Sequence, residues 1–434
     1  MKKEFLRYAI PSALSMFVSS LYTVIDGMFV GQGVGDLALA AVNIDLPFVV
    51  MLFGITNMFA IGGGALVSKN IGAKQIDKAV EIFRKVFKLL LIISIVTSGV
   101  CVIFANPIVK MLGATESLEG LSAEYLRYYA IFCIPNLIGI SLNSFVRNDG
   151  RPKLAMISMI AGAITNIILD YIFIFQLRLG IKGAAIATGL GQIVTVAILL
   201  THFFRKQGYL TFGNVELDLK TVREFASIGL PSFFAQISYS IIVLANNMAI
   251  SRIAGEVGLS TYSIINYINT NLYMILLGLT LGTQPLVSYN YGKKDSEKML
   301  GFYKINCIAS MIISMVFLSL CVLFGKFMIG IFSKDLQIIE LGYGALIIVI
   351  SSYIMVGLNL NTIVYYQAIE YPKFSNIICA LRSIIILPIC LVVLGNLFGM
   401  NGIWISTIFT EFLTFVSISL IANIRKYTLK VVTL

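Results

Sequence analysis

Asp26 and Asp170 each sit inside an apolar stretch long enough to cross a bilayer. A charged group at bilayer depth costs at least about 2.5 kcal/mol, so an acid there points to ion or proton handling. At a rise of about 1.5 Å per residue, Asp26 lies ~12 Å and Asp170 ~11 Å from the same end of their spans. Asn166 precedes Asp170 by four residues and shares its helix face. Thr188 lies ~8 Å into the next span. Four oxygen-bearing side chains therefore fall in one layer. Such a set suits a small hard cation. It equally suits a proton held between two carboxyl groups that cannot both stay ionised side by side.

The elements that must carry this layer follow from composition. Of 434 residues, 58% are apolar and 12% charged, and the mean hydropathy is +0.91. A soluble domain carries about 25% charged residues. Spans of membrane length recur at about 9–34, 39–68, 86–105, 124–147, 154–177, 183–206, 222–253, 258–288, 299–325, 339–367, 375–396 and 400–425. The expected fold class is an all-α integral membrane protein of twelve transmembrane helices. Met1–Tyr8 is short and charged and the first apolar run is a full span, so no cleaved leader is expected.

The net charge of +11 orients the chain. Sorted by connection, 24 Lys and Arg residues fall with the two termini and the even-to-odd loops, and 7 fall on the other side. The positive-inside rule then puts both termini in the cytoplasm of a multi-pass protein of the inner or plasma membrane. No nucleic-acid partner is expected; the partners are the lipid bilayer and small molecules, and the state is a monomer. The basic stretches Lys69–Lys88 and Asn290–Lys304 are expected to lie on anionic lipid or to cap the helices. The six cysteines lie in or at the edge of spans without metal-ligand spacing, and the single histidine, His202, reads as structural or interfacial. No cofactor is expected.

The chain is also a repeat. Pro11-Ser12 and Pro231-Ser232 are 220 residues apart, and the same shift lays Val67-Ser68, Asn70, Gly72 and Lys74 on Val287-Ser288, Asn290, Gly292 and Lys294. Pro152-Lys153 falls on Pro372-Lys373, and Gly180 and Gly183 fall on Gly399 and Gly402 one residue short of that shift. The expected division is 1–206 (spans one to six), a linker at 207–220, and 221–434 (spans seven to twelve). Six is even, so the halves share one orientation, as in transporters built from parallel repeats. The acids break the repeat: Asp26 falls on Asn246, and Asp170 on Ile389 or Cys390.

Further polar residues lie at depth. Arg382 and Glu411 are ~11 Å and ~21 Å inside spans eleven and twelve, close enough for an ion pair. Glu411 falls on Gln192, so this charge too belongs to one half. Tyr262, Asn266, Asn269 and Tyr273 mark one face of span eight. That face suits a wet cleft that takes flat organic cations, or helix packing through amides. Asn359, Asn361, Tyr365 and Tyr366 in span ten form a weaker set.

In four segments the chain resembles the multidrug and toxic compound extrusion (MATE) antiporters, and among them a MepA-like bacterial subgroup. The segments are Val24-Ile25-Asp26-Gly27-Met28-Phe29-Val30-Gly31, Arg147-Asn148-Asp149-Gly150-Arg151-Pro152-Lys153, Asn166-Ile167-Ile168-Leu169-Asp170-Tyr171-Ile172-Phe173-Ile174, and Gln284-Pro285-Leu286-Val287-Ser288-Tyr289-Asn290-Tyr291-Gly292. The resemblance implies two pseudo-symmetric six-helix bundles around a cleft. It implies multidrug efflux of lipophilic or cationic compounds in exchange for H⁺ or Na⁺ by alternating access. It gives Asp26, Asn166, Asp170 and Thr188 the cation or proton site, Pro11 a role in helix bending, and Tyr22 and Asn143 further polar positions of the N-terminal half. The middle of span seven, Gln236-Ile237-Ser238-Tyr239, lacks the acid that some bacterial members carry there. Two other readings remain. A lipid-linked precursor flippase would need a strongly basic cavity, and only Arg382 lies deep. A polytopic membrane enzyme would need acid-rich metal-diphosphate or paired protease motifs, which are missing.

Overall fold

The computed structural model describes residues 1–333 and 335–432, and the side chains of all of these except 36, 239, 256 and 421–432. Lys334 and the side chains of Arg425, Lys426 and Lys430, counted above in sorting the loops, lie outside the described residues. The helices are α1 (Lys2–Gly33), α2 (Asp36–Gly72), α3 (Ile76–Met111), α4 (Glu116–Ile131 with Cys133–Asn148), α5 (Pro152–Gln176) and α6 (Ile181–Phe204) in the first bundle. The second bundle holds α7 (Leu219–Gly255), α8 (Val257–Gly292), α9 (Ser296–Gly330), α10 (Leu336–Ala368), and α11 (372–398) and α12 (400–432). The apolar stretch Pro372–Leu420 has 49 residues. As one helix it would be ~74 Å long, over twice the ~30 Å hydrocarbon core. Gly399, at φ 59°, breaks it in two, as its repeat mate Gly180, at φ 64°, separates α5 from α6. A side chain is disfavoured at that φ and glycine is not. The spans expected from hydropathy match these helices, except that the fourth is not one straight rod. It starts at Glu116 and bends by 54° between Ile131 and Cys133.

The repeat is written in the contacts. Ser68 Oγ bonds the Asn148 side chain at 2.7 Å, and its mate Ser288 donates to the Ala368 carbonyl, 220 residues beyond Asn148, at 3.0 Å. The bundles meet through reciprocal glycines. A Cβ on Gly72 would lie 2.0 Å from the Tyr289 carbonyl oxygen, and one on Gly292 would lie 1.9 Å from that of Lys69. Gly229 of α7 likewise lies against the Met58 carbonyl oxygen, 1.6 Å from a Cβ built there. Lys69 closes the same end with an ion pair to Glu370 at 2.5 Å. The start of each bundle's first helix is buried in the other bundle. Phe5 packs with Leu286 and Phe302, and Phe225, its mate, packs with Phe59 and Phe83. Pro11 lies inside the continuous helix α1, and the adjacent Ser12 is the residue that Gly278 and Gly282 of α8 approach.

The segment between the bundles is strapped down. Asp149 accepts the amide N–H groups of Tyr209 at 3.0 Å and Leu210 at 3.1 Å, and pairs with His202 Nε2 at 2.8 Å. Arg84 donates to Thr211 and Phe212, Lys88 to the Val215 carbonyl, and Lys85 to Asp218. The Lys85 ammonium and the N–H and hydroxyl of Thr221 hold the Asp218 carboxyl well below the usual carboxylate range. Arg84, Lys85 and Lys88, expected to rest on lipid or cap the helices, are thus engaged with backbone and side-chain oxygens of the chain's own linker. Asp149→Ala strands two backbone donors and the imidazole, at about 1–3 kcal/mol for each unsatisfied group. The expected result is a lower melting temperature in detergent and faster tryptic cleavage after Arg205 and Lys206.

Candidate functional site

Asp170 ends the α-helical part of α5, where a π-helical turn, Tyr171–Gln176, begins. Such widened turns are frequent at functional sites. Asp170 is fully buried, and both its carboxyl oxygens lack a hydrogen-bond partner. Asp26 is half-buried on α1 and faces it, with its own Oδ1 buried and unpartnered. Asn166, one turn back on α5, donates through Nδ2 to Thr188 Oγ1 of α6 at 3.3 Å, while its Oδ1 is free. Tyr22 lies within electrostatic range of both acids. Asp26, Asn166, Asp170 and Thr188 thus form one cluster of neighbouring side chains, with Tyr22 beside it.

Four buried oxygens without partners are expensive to leave that way. A proton on the carboxyl pair relieves some of them by turning an acceptor into a donor. A small cation relieves them by direct coordination, and an all-oxygen donor set fits a hard one. Among the described residues no group of three or more His, Cys, Asp or Glu side chains is placed to hold a metal ion, so a cation here would rely on the amide and hydroxyl oxygens as well.

A third acid belongs to this bundle and was not singled out from the sequence. Asp45 of α2 is fully buried; Ser122 donates to its Oδ1 at 2.9 Å, and Oδ2 has no partner. The rule that found Asp26 applied to it, since Asp45 lies in the apolar run 39–68. Its repeat mate is Ile265, so it too is confined to one half. Tyr125 lies within electrostatic range of Asp26, Asp45 and Asp170. Asp45→Asn retains an acceptor for Ser122, so insertion and melting temperature are expected to hold. The pH profile of any transport by the chain is expected to shift without loss of maximal rate. An unshifted profile in vesicles confines Asp45 to holding Ser122.

The second bundle has a different site. Arg382 stands in another π-helical turn, Leu381–Ile386 of α11. Its Nε and Nη2 donate to Glu411 Oε1 at 2.7 and 2.6 Å, and Asn359 Nδ2 donates to Glu411 Oε2 at 2.8 Å. Tyr262, Asn266, Asn269 and Tyr273 line a cavity together with this pair. Trp404, Thr410 and Asn246 complete its walls. The sequence could not assign these three, because each looks like an isolated substitution until the helices are assembled. The other candidates lie elsewhere. Asn143 ties α4 to α5 by donating to the Ala155 carbonyl at 2.9 Å. Asn361 accepts from Thr280 and Asn306 in a packing network, and Tyr365 and Tyr366 pack on Tyr303 and Phe374.

Two repeated six-helix bundles of membrane-length apolar helices are the architecture of transporters built from parallel repeats. The MatE family model matches residues 11–172 and again, 220 residues on, 231–392, and the chain belongs to that family. It is 27% identical to the multidrug export protein MepA of Staphylococcus saprophyticus over 413 residues, 94% of this chain and 90% of the relative. It is 25% identical to MepA of Staphylococcus aureus over 436 residues, 99% and 95% of the two chains. Its fold matches the outward-facing conformation of a multidrug resistance MATE family transporter with a TM-score of 0.93 at 23% identity, covering 99% of this chain and 96% of the other. The bent conformation of a MATE transporter matches with a TM-score of 0.90, again at 23% identity and covering 99% and 96%.

Proposed function

We propose that the chain is a secondary active multidrug exporter that exchanges lipophilic organic compounds, cations among them, for H⁺ or Na⁺. The observation that carries this is the Asp26–Asp170 pair, a half-buried acid facing a fully buried one, without a basic partner and in one bundle only. Exchange needs a group whose charge state alternates with access, and these acids are such a group. Asn166 and Thr188 supply the remaining oxygens of a cation site. The relatives named as multidrug export proteins support the substrate class. A flippase for a diphosphate-linked lipid is disfavoured because Glu411 already neutralises Arg382, the deep basic residue such a cargo would need.

In this reading residues 1–206 and 221–434 are the two moving lobes and 207–220 joins them. Both termini face the cytoplasm of the cell membrane, and the monomer is the working unit. The Lys69–Glu370 end is then the cytoplasmic one, and the molecule is shut on that side. Pro11 lacks the N–H of a continuous helix ladder, and in this reading it lets α1 bend as the lobes part.

The test is efflux of a fluorescent organic cation from reconstituted vesicles, with a pH gradient and a sodium gradient imposed separately. One gradient is expected to accelerate efflux at least tenfold. Indifference to both sinks the exchange proposal.

A further inference from the structure

The cavity of the second bundle holds about 100 Å³ of free space between α7, α8, α10, α11 and α12. That is too little for a whole drug-sized molecule, for which pockets run to about 300 Å³ or more, and is space for waters or for the ring-bearing end of a larger compound. One wall is aromatic: the Tyr262 and Trp404 rings stack with centroids 6.1 Å apart and an interplanar angle of 24°. Another is amide, from Asn246 and Asn266. Thr410, 3% exposed, lines the cavity with a hydroxyl that has no hydrogen-bond partner. The site is therefore built, and one of its polar groups is unsatisfied.

Its charge is the informative part. An acid in an aromatic pocket is the usual recognition device for an organic cation. Here the acid is already taken. Arg382 places two N–H groups on one oxygen of Glu411, and Asn359 places one on the other. A lone cation in the cavity meets a carboxylate and a guanidinium whose fields nearly cancel, so it gains little Coulomb energy against the loss of its hydration. A neutral ring loses no such hydration. A zwitterion can lie antiparallel to the pair, its anion toward Arg382 and its cation toward Glu411, and gain at both ends.

We infer that this cavity takes neutral and zwitterionic aromatic compounds in preference to monocations, and that Arg382 sets the preference. The inference rests on the export reading above and widens its substrate class. The paired charges of the second bundle extend the range to compounds without net charge.

Trp404 is the single tryptophan of the chain, so its emission reports the cavity directly. The full-length protein in nanodiscs is titrated with 1-methylnicotinate, a zwitterion, and with 1-methylnicotinamide, a monocation with the same ring. The wild type is expected to show quenching with at least tenfold higher affinity for the zwitterion. Arg382→Gln leaves the Glu411 carboxylate held by Asn359 alone and is expected to reverse the order. If that variant does not fold, Glu411→Gln leaves the guanidinium in excess and is expected to widen the wild-type ratio further. Equal or tighter binding of the monocation by the wild type overturns the inference, as does a ratio unmoved in the variant that folds. These are equilibrium titrations without a gradient. Failure here with vesicle export intact rejects only the cavity assignment, whereas loss of gradient-driven export rejects the transport reading.

Discussion

Asp170→Asn is expected to reduce gradient-driven efflux to the level of vesicles without protein. Asp26→Asn is expected to do the same. Asparagine keeps the size and one acceptor but can neither carry a proton nor place a charge against a cation. The stability effect has the opposite sign. Asp170 is fully buried and both its oxygens lack partners. Burying an unsatisfied polar group costs about 1–3 kcal/mol in mutational series, and the amide can donate to the Asp26 carboxyl where the acid in its ionised form cannot. The variant is expected to melt at a temperature equal to or above that of the wild type. A higher melting temperature with no transport separates a functional acid from a structural one. Wild-type efflux by either variant would remove the exchange mechanism.

The second large effect is expected at the glycines between the bundles. Gly229→Ala places a methyl 1.6 Å from the Met58 carbonyl oxygen, and Gly72→Ala places one 2.0 Å from that of Tyr289. The atom met is backbone in both cases, so no side-chain rotation relieves it, and the helices must separate. Overpacking of this kind costs about 1–3 kcal/mol, which shifts a two-state population roughly 5- to 150-fold. Separation of the bundles is expected to relieve the strain, at the Lys69–Glu370 end for Gly72 and about 21 Å further along α2 for Gly229. Spin labels at Lys74→Cys and Lys294→Cys are expected to show a longer, broader distance distribution in either glycine variant. A distribution identical to that of the parent labelled protein means the contact is not the closure. Removing the Lys69–Glu370 pair is a weaker perturbation of the same equilibrium, because half-exposed ion pairs contribute about 0.2–1 kcal/mol.

Much of this fold is legible in the chain because a bilayer leaves few alternatives. A run of twenty apolar residues there must be a helix, so the span positions come from hydropathy alone. The 220-residue shift is legible because matched glycines, Ser68 with Ser288 and Asn70 with Asn290, hold equivalent contacts. Depth counting brings Asp26, Asn166, Asp170 and Thr188 together because helix rise is nearly constant. It fails where a helix is not straight. The bend at Phe132 has a sequence signal that hydropathy counting ignores: Pro135 lacks the N–H that would bond the Ile131 carbonyl and its ring clashes with it. Depth counting also says nothing about partners chosen in three dimensions. The basic residues Arg84, Lys85 and Lys88 count correctly as charges, yet their destinations depend on which linker carbonyls are left without a bond. Asp45 is legible by the same rule as Asp26, since it lies inside an apolar run of membrane length. Trp404 and Thr410 become cavity residues only once α12 lies against α8.

The exchange of Phe5 and Phe225 between bundles bears on how the protein is made. Phe225 and Ile228 help close the hydrophobic core that Phe59, Phe83 and Phe145 begin. Synthesis runs from the N-terminus, so six helices have already entered the membrane before the two residues that finish their packing are translated. In the meantime Phe5 and Ala9 wait for Leu286, Phe302 and Ala368, which come later still. Neither half is a finished object when it leaves the ribosome. A gene cut between the halves is expected to yield fragments that assemble only when both are expressed together, and the nascent first half is where a membrane chaperone would be needed.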